Sequence, residues 1–484
     1  MKYEPVIGLE VHAQIHTRSK MFCSCPVVED TGDLPPNTYV CPVCAGMPGT
    51  LPVINKRAIE MAIKTGLALN CEIPPVSCFA RKSYFYPDLP KGYQISQYEL
   101  PLCVNGYLDI ETEEGTRRIR ITRAHMEEDT GKLYHMGDGS SRVDLNRAGV
   151  PLLEIVSEPD MRSAAEVMAY ATRLYSYLVY LGINSGDMEK GVMRFEANVS
   201  VRPLGSTELN PRHEIKNLNS FRALARSVAY EIESQIATLE AGGTITQQTM
   251  GWDESRGVTV PQRGKEYAHD YRYFPDPDLP PLEVSREWVE ELRASLPELP
   301  DARRARFIRD YGLSSYDAGL LVADKAVADY YEATLSAAAG VADPKGVANW
   351  ITGELFRLMN ESGRTITSAP PPPMLAELIA LVQNGTINLN TGKRVLEEMF
   401  TTGRAARQIV EERGLAQISD TAALEQVIAQ VLDGNPSEVA QYLSGKAQLF
   451  GWLMGQVMRA TQGKANPQLV KELLQAQLEA RRTG

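Results

Sequence analysis

The sequence predicts an α+β domain over residues 1–294, followed by two helical modules over 295–405 and 406–484. Three observations carry that prediction. Up to about residue 290, short runs of alternating apolar and polar residues are separated by turn signals, with a few helical stretches between them. From about Ser295 onward, Ala, Leu, Glu and Arg recur at helical spacing and strand signals stop. The stiff segment "SAPPPPM" (Ser368–Met374) and the break "TTGRAARQ" (Thr401–Gln408) then divide the helical half.

The first strand is "PVIGLEVHAQIHT". Side chains alternate across a strand, so Ile7, Leu9, Val11 and Ile15 share one face and Glu10, His12 and Gln14 the other. Next comes "CSCPVVEDTGDLPPNTYVCPVC", an insertion over 23–44 that holds four of the seven cysteines as two tight pairs, Cys23/Cys25 and Cys41/Cys44. Four thiolates in two pairs suit a closed tetrahedral zinc site, which leaves no open position for catalysis. "KRAIEMAIKTGLALN" reads as helix. "RKSYFYPDLPKGYQISQYE" (Arg81–Glu99) is dense in Tyr, with Lys82 and Lys91, and reads either as the wall of a polar channel or as a packed aromatic loop. Turns are expected at Asn105-Gly106, Glu113–Gly115 and Gly137–Gly139.

Acidic residues gather in the next two segments. "RITRAHMEEDTGK" ends a strand in Glu127, Glu128 and Asp129, and "VDLNRAGVPLLEIVSEPD" carries Asp144, Asn146, Arg147, Glu154 and Glu158. After the helix "SAAEVMAYATRLYSYLVYLG" comes the strand "GVMRFEANVSVRP". Met193, Phe195, Ala197, Val199 and Val201 form its apolar face, and Arg194, Glu196, Asn198, Ser200 and Arg202 its polar one. A solvated sheet face is the plain alternative for either strand. Such faces are richer in Lys and Thr, whereas these carry acids, amides, Arg and His.

Bulk properties exclude several classes. With 484 residues, 43% hydrophobic and 23% charged, the chain has ample core for a soluble protein of about three domains. No apolar run reaches the length of a membrane span, and the start lacks a secretory pattern. An odd cysteine count in such a chain points to a reducing, cytoplasmic setting and to metal in preference to disulfides. A net charge of −11 argues against nonspecific nucleic-acid binding. The stretch 445–484 departs from this, with six basic residues against two acidic. Either a nucleic-acid contact or a solvated helix face accounts for it.

Carboxylates with one imidazole suit a hard cation such as Mg²⁺, and neighbouring Arg suits phosphate. Together they suggest phosphoryl chemistry. There is no Walker A sequence, no GxGxxG, no GxSxG and no HExxH. Any ATP would therefore sit on a sheet bearing acids, metal and Arg. No hydrolase nucleophile is recognisable, so an amide-forming enzyme would draw its ammonia from elsewhere.

Long motifs then align the chain with a known family: "VIGLEVHAQIHT", "KSYFYPDLPKGYQISQYE", "HMEEDTGK", "VDLNRAGVPLLEIVSEPD", "MRFEANVSVR", "EIKNLNSFR" and "AHDYRYFPDPDLPPL". "VDLNRAGVPLLEIV" is the most specific of them. The chain resembles the GatB family, the B subunits of the amidotransferase that converts Glu-tRNA(Gln) to Gln-tRNA(Gln) or Asp-tRNA(Asn) to Asn-tRNA(Asn). The ending "GKAQLFGWLMGQVMRATQGKANPQLV" resembles a YqeY-like module. His213 stands where the family motif has Thr.

The resemblance implies an α+β catalytic cradle similar to glutamine synthetase, then a helical domain and a small helical YqeY-like tail. It implies that ATP and Mg²⁺ phosphorylate the side-chain carboxylate of the misacylated amino acid. Ammonia, channelled from an amidase-type A subunit (a glutaminase), then displaces phosphate, and a small C subunit completes a heterotrimer. Matched residue by residue, Glu10, His12, Glu128 and Glu154 hold Mg²⁺, with Glu127 and Asp129 flanking Glu128. Arg194, Glu196 and Asn198 contact nucleotide or acyl phosphate, Arg194 and Glu196 completing the catalytic set. Lys82, Tyr84 and Tyr86 line the inner channel, and Lys446, Arg459 and Lys464 contact the tRNA backbone. The cysteine site becomes a structural zinc staple. Two rivals remain at this level: a tRNA-binding adaptor without chemistry, and a metal-dependent phosphate-ester hydrolase.

Overall fold

The computed structural model describes residues 2–28, 34–262, 271–416, 421–461, 463 and 465–483. It divides into two units, Met1–Pro300 and Asp301–Gly484. The first is organised by one sheet. Its strands are β1 (Tyr3–Gln14), β2 (Cys103–Thr112), β3 (Gly115–Glu128), β4 (Pro151–Ser157), β5 (Met193–Pro203), β6 (His213–Leu218), β7 (Gln248–Asp253) and β8 (Val258–Pro261). Their order is β8-β7-β6-β5-β1-β4-β3-β2. Every neighbouring pair is antiparallel except β6 and β7. The first strand in sequence thus lies in the middle of the sheet.

Three helices cover one face: α1 (Lys56–Ala68), α2 (Ala164–Tyr180) and α3 (Phe221–Glu240). α1 packs on β2 and β3, α2 on β2, and α3 on β5, β6 and β8. Each begins at a residue whose side chain accepts first-turn N–H groups: Asn55, Ser163 and Ser220. Ile7, Leu9 and Val11 of β1 and Met193, Phe195, Ala197 and Val199 of β5 are buried beneath these helices. Since alternate residues face opposite sides, burying this set turns Glu10, His12, Arg194 and Glu196 to the other face.

Two of the expected turns are turns. Glu113 and Glu114 join β2 to β3, with Thr112 paired to Gly115, and Gly137–Gly139 join Lys132–His135 to Ser141–Asp144. Asn105-Gly106 is not a turn: both residues lie within β2, Asn105 at φ +54°. A Cβ on Gly106 would lie 2.3 Å from Cys71 Sγ and 2.7 Å from the Leu69 carbonyl oxygen, so this glycine serves close approach.

The elements among the described residues of the second unit are helices joined by turns and loops. One core runs from Phe307 to Val410, with Leu415 against it, and another from Leu424 to Leu478. The seam expected at 405/406 falls inside the first of these cores. Ala406, Ile409 and Val410 are buried there, because helix Ala406–Glu412 packs on helices Pro372–Gln383 and Leu389–Thr402. The seam expected at 294/295 lies early as well, since Leu296 and Leu299 still pack on the first unit's core. Pro372 opens its helix from the first turn, where a missing N–H costs nothing. No helix among the described residues is long and apolar enough to cross a membrane.

Candidate active site

The polar face of the sheet lines a cleft of about 690 Å³. Its floor is a row across four neighbouring strands. Arg194 of β5 is paired with His12 of β1, His12 with Glu154 of β4, and Glu154 with His125 of β3. Beside it Glu196 stands opposite Glu10. Glu127, Asp129, Lys82, Arg123, Arg212, Glu214 and Lys216 also line the cleft. Six carboxylates thus face five Lys and Arg side chains, so charges of both signs must be held against one another at short range.

Each carboxylate has a distinct environment. Burial raises the Glu10 carboxyl above the usual range, and Glu154, Glu196 and Glu214 push it further, with Lys216 as a partial offset. Burial works the same way on Glu127, but Lys82, His125 and His12 outweigh it and hold Glu127 well below the carboxylate range. Glu127 also accepts from Ser96 Oγ at 2.7 Å and Gln94 Nε2 at 3.2 Å. Lys216 and His12 similarly overcome burial at Glu196 and depress it. Burial opposes the Lys82 charge, yet Glu127 and Glu154 keep its pKa above that of an ordinary lysine. Glu10 thus differs from Glu127 and Glu196, whose cationic neighbours outweigh burial.

Two groups of side chains offer ligand atoms close enough together for a cation. Glu10, His12 and Glu196 form one, and His12, Glu127 and Glu154 the other, with ligand atoms all within 4.8 Å in each. His12 Nδ1 is 4.0 Å from Glu154 Oε2, and Nε2 is 3.9 Å from Glu196 Oε1. Those distances are too long for hydrogen bonds, and buried His12 Nδ1 has no hydrogen-bond partner. His125 Nδ1, Arg123 Nε and Asn198 Oδ1 are also buried and unpartnered. Buried polar atoms rarely stay unsatisfied, so this concentration fits a bound cation and a polar substrate. A neutral imidazole has one lone pair, so His12 serves one cation group at a time.

The residues expected from the sequence separate as follows. Glu10, His12, Glu154, Arg194 and Glu196 come together in the cleft. Asn198 stands behind them, donating from Nδ2 to Glu10 Oε1 at 3.0 Å. Glu128 does not join them. It lies on the Ala124/Met126 side of β3, accepts the Ile95 N–H at 2.9 Å, and pairs with Lys91. Strand alternation turns Glu127 and His125 into the cleft in its place. Lys82 and Tyr84 line the cleft, whereas Tyr86 is stacked on Tyr84 with centroids 5.7 Å apart and is 49% exposed. Tyr98, Tyr271 and Tyr273 continue this aromatic wall, with Lys82 Nζ 5.1 Å from the Tyr271 ring centroid. Lys446 and Arg459 are exposed in the second unit, and Lys464 lies outside the described residues.

The four cysteines form a separate group, with their sulfurs within 4.8 Å of one another. Cys25 Sγ and Cys41 Sγ are each 3.9 Å from Cys44 Sγ. A tetrahedron with metal–sulfur bonds of about 2.3 Å has edges of about 3.8 Å, so the set fits a metal of the zinc type. A hydrogen bond from Cys23 lowers the Cys44 thiol to about 4 against the effect of burial, with help from Cys41 and Lys20. Lys20 is fully buried, its Nζ 3.6 Å from Cys44 Sγ.

Residues 5–290 match the profile of the GatB/GatE catalytic domain, and residues 329–478 that of the GatB domain. The chain belongs to the GatB family. A GatB relative from Roseiflexus sp. (strain RS-1), named as the B subunit of an aspartyl/glutamyl-tRNA(Asn/Gln) amidotransferase, is 55% identical over 99% of both chains. Relatives of the same name from Geotalea uraniireducens (strain Rf4) and Moorella thermoacetica (strain ATCC 39073 / JCM 9320) are each 55% identical. They cover 98% and 99% of this chain and 99% and 100% of their own length.

Sequence reasoning missed several lining residues of this GatB cleft. His125 was within reach, and so was the choice of Glu127 over its named neighbour Glu128, because His125 and Glu127 alternate with apolar Ala124 and Met126. Arg212, Glu214 and Lys216 were not, because nothing in the sequence says that β6 pairs beside β5. His213, on the opposite face of β6, faces α3. Its Nδ1 is 2.5 Å from Glu231 Oε1, and its Nε2 is 3.1 Å from the Thr246 carbonyl oxygen. Glu231 in turn accepts from Thr259 Oγ1 at 2.7 Å and Gln235 Nε2 at 3.0 Å. This buried network braces the strand that carries Glu214 and Lys216.

Proposed function

We propose that the cleft activates the side-chain carboxylate of Glu or Asp misacylated onto tRNA(Gln) or tRNA(Asn), using ATP, and joins ammonia to it. The observation that carries this is the unpartnered His12 Nδ1 among Glu10, Glu127, Glu154 and Glu196, with Arg194, Arg123 and Arg212 lining the same cleft. A carboxylate is a poor electrophile because its leaving group would be oxide. Its oxygen attacks the γ-phosphorus, the bond to ADP breaks, and an acyl phosphate forms. Ammonia then adds to the acyl carbon, phosphate leaves, and the nitrogen loses a proton. Arg123, Arg194 and Arg212 neutralise charge on the transferring group. Mg²⁺ held by Glu10, His12, Glu127, Glu154 or Glu196 would supply further neutralisation of the phosphates. Lys82 and the tyrosines bound the side from which ammonia enters.

The same reading gives the first unit a cradle similar to glutamine synthetase. It makes the chain one member of a cytoplasmic heterotrimer with a glutaminase and a small C subunit, and assigns exposed Lys446 and Arg459 to tRNA backbone contact. A tRNA adaptor has no use for a cleft with six carboxylates. The test supplies the chain with ATP, Mg²⁺, ammonium and Glu-tRNA(Gln), alone and with its partner subunits. Glutaminyl-tRNA is expected with the native chain and is lost in Glu10→Ala. Failure of the native complex to form any amide under these conditions overturns the reading.

For the cysteine group we propose structural zinc. One zinc per chain is expected by elemental analysis of the purified protein. Cys41→Ser is expected to lose it and to lower Tm by about 3–5 °C, the shift that a loss of about 2–3 kcal/mol produces in a domain of about 300 residues. Unchanged melting in the zinc-free variant removes the structural role.

A further inference from the structure

β5 and β6 do not pair evenly. Ala197 stands opposite Ile215 and Phe195 opposite Leu218, so Lys216 and Asn217 together face the single residue Glu196. Asn217 takes the extra position at φ +60°, a conformation asparagine tolerates better than most residues. The bulge returns Leu218 to the core and leaves both Lys216 and Asn217 on the cleft.

Lys216 Nζ lies 2.6 Å from Glu196 Oε2 and 2.7 Å from Glu214 Oε1. The other oxygen of Glu196 lies 3.9 Å from His12 Nε2, and Glu196 is a member of the group of Glu10, His12 and Glu196. One carboxylate is therefore shared between an ammonium already in place and the position of a divalent cation. Asn217, Arg212 and Arg194 line the cleft nearby, the last 3.2 Å from Asp129 and so already paired.

We propose that Lys216 is a phosphate-binding residue held in reserve between Glu196 and Glu214, and that cation loading at Glu10, His12 and Glu196 releases its ammonium toward the nucleotide. A divalent cation on Glu196 Oε1 withdraws charge from the carboxylate and repels the ammonium. The flexible four-carbon stem lets the ammonium swing without moving the strand. Linkage is reciprocal: whatever the cation does to the hold on Lys216, Lys216 does to the affinity for the cation. The inference rests on the reading of the cleft as a site for a divalent cation and ATP.

The test measures Mn²⁺ binding by electron paramagnetic resonance without nucleotide, and ATP binding at saturating Mn²⁺, in the full chain. Lys216→Met is expected to bind Mn²⁺ about tenfold more tightly and ATP about tenfold more weakly, a coupling of ordinary size. Lys216→Arg keeps the charge and is expected to stay near the native Mn²⁺ affinity, which separates charge from folding. Unchanged or weaker Mn²⁺ binding in a folded Lys216→Met overturns the inference, as does unchanged ATP binding. A native chain that binds neither Mn²⁺ nor ATP overturns the reading of the cleft itself, and the inference with it.

Discussion

Glu127→Gln is expected to lower ATP-dependent amide formation by about two orders of magnitude or more, the scale on which a ligand or charge-stabilising donor matters. Glu128→Gln is expected to leave turnover per folded molecule within about threefold, because its side chain lies outside the cleft. The two residues are neighbours of the same type, so the comparison isolates direction. Glu127 sits with His12 and Glu154 in one cation group, held ionised by Lys82 and the two histidines against the cost of burial. Glu128 faces Lys91 and the Ile95 N–H instead. Loss of its charge leaves the half-buried Lys91 ammonium without a carboxylate, so Glu128→Gln is expected to melt earlier, by about 1–2 kcal/mol in stability. Steady-state rates and thermal unfolding of both variants decide the matter. A collapse of activity in a stably folded Glu128→Gln would return the ligand role to Glu128.

Arg194→Met is expected to cost about 2–3 kcal/mol of stability at neutral pH, below the full penalty for breaking a buried pair because Asp129 keeps other partners. Asp129 is 3% exposed. It accepts from Gln14 Nε2 at 2.8 Å and from Arg194 at 3.2 Å, with Arg147 at 3.6 Å. Burial alone would raise its carboxyl; Arg194 first, then Arg147, reverse this and depress it. The sign follows from that depression. A group whose folded pKa lies below its unfolded value adds stability above the unfolded pKa, about 4, and loses it as pH falls through the folded one. Without Arg194 the depression shrinks, so the deficit of the variant is expected to be full above about pH 5 and to close as acid protonates Asp129. Denaturant unfolding from pH 3 to 7 measures it. A deficit that stays constant across that range would mean that lost packing, not the stranded carboxylate, accounts for the effect.

Much of this was legible because the signals are local. Alternation in "VIGLEVHAQIHT" and "MRFEANVSVR" separated the core faces of β1 and β5 from their polar faces, since burying one face of a strand dictates the other. Two close cysteine pairs indicated their own meeting. Asn105-Gly106 misled because an Asn-Gly pair marks a place where positive φ and no side chain are tolerated, which a strand passing close to Cys71 needs as much as a hairpin does. The seam at 405/406 misled because a helix break in sequence does not say on which core the next helix packs.

By itself the sequence determined the α+β and helical halves, the polar strand faces, the cysteine group and the family. Periodicity, spacing and long motifs are properties of consecutive residues. Only the tertiary structure decided that β1 lies between β5 and β4, which brings His12 between Arg194 and Glu154. It also decided that Glu127, and not Glu128, enters the cleft, and that a bulge aims Lys216 at Glu196. Strand order and register are set by which apolar faces pack beneath the helices, and residues as far apart as Asn198 and Glu10, separated by 188 positions, meet only once that packing is made.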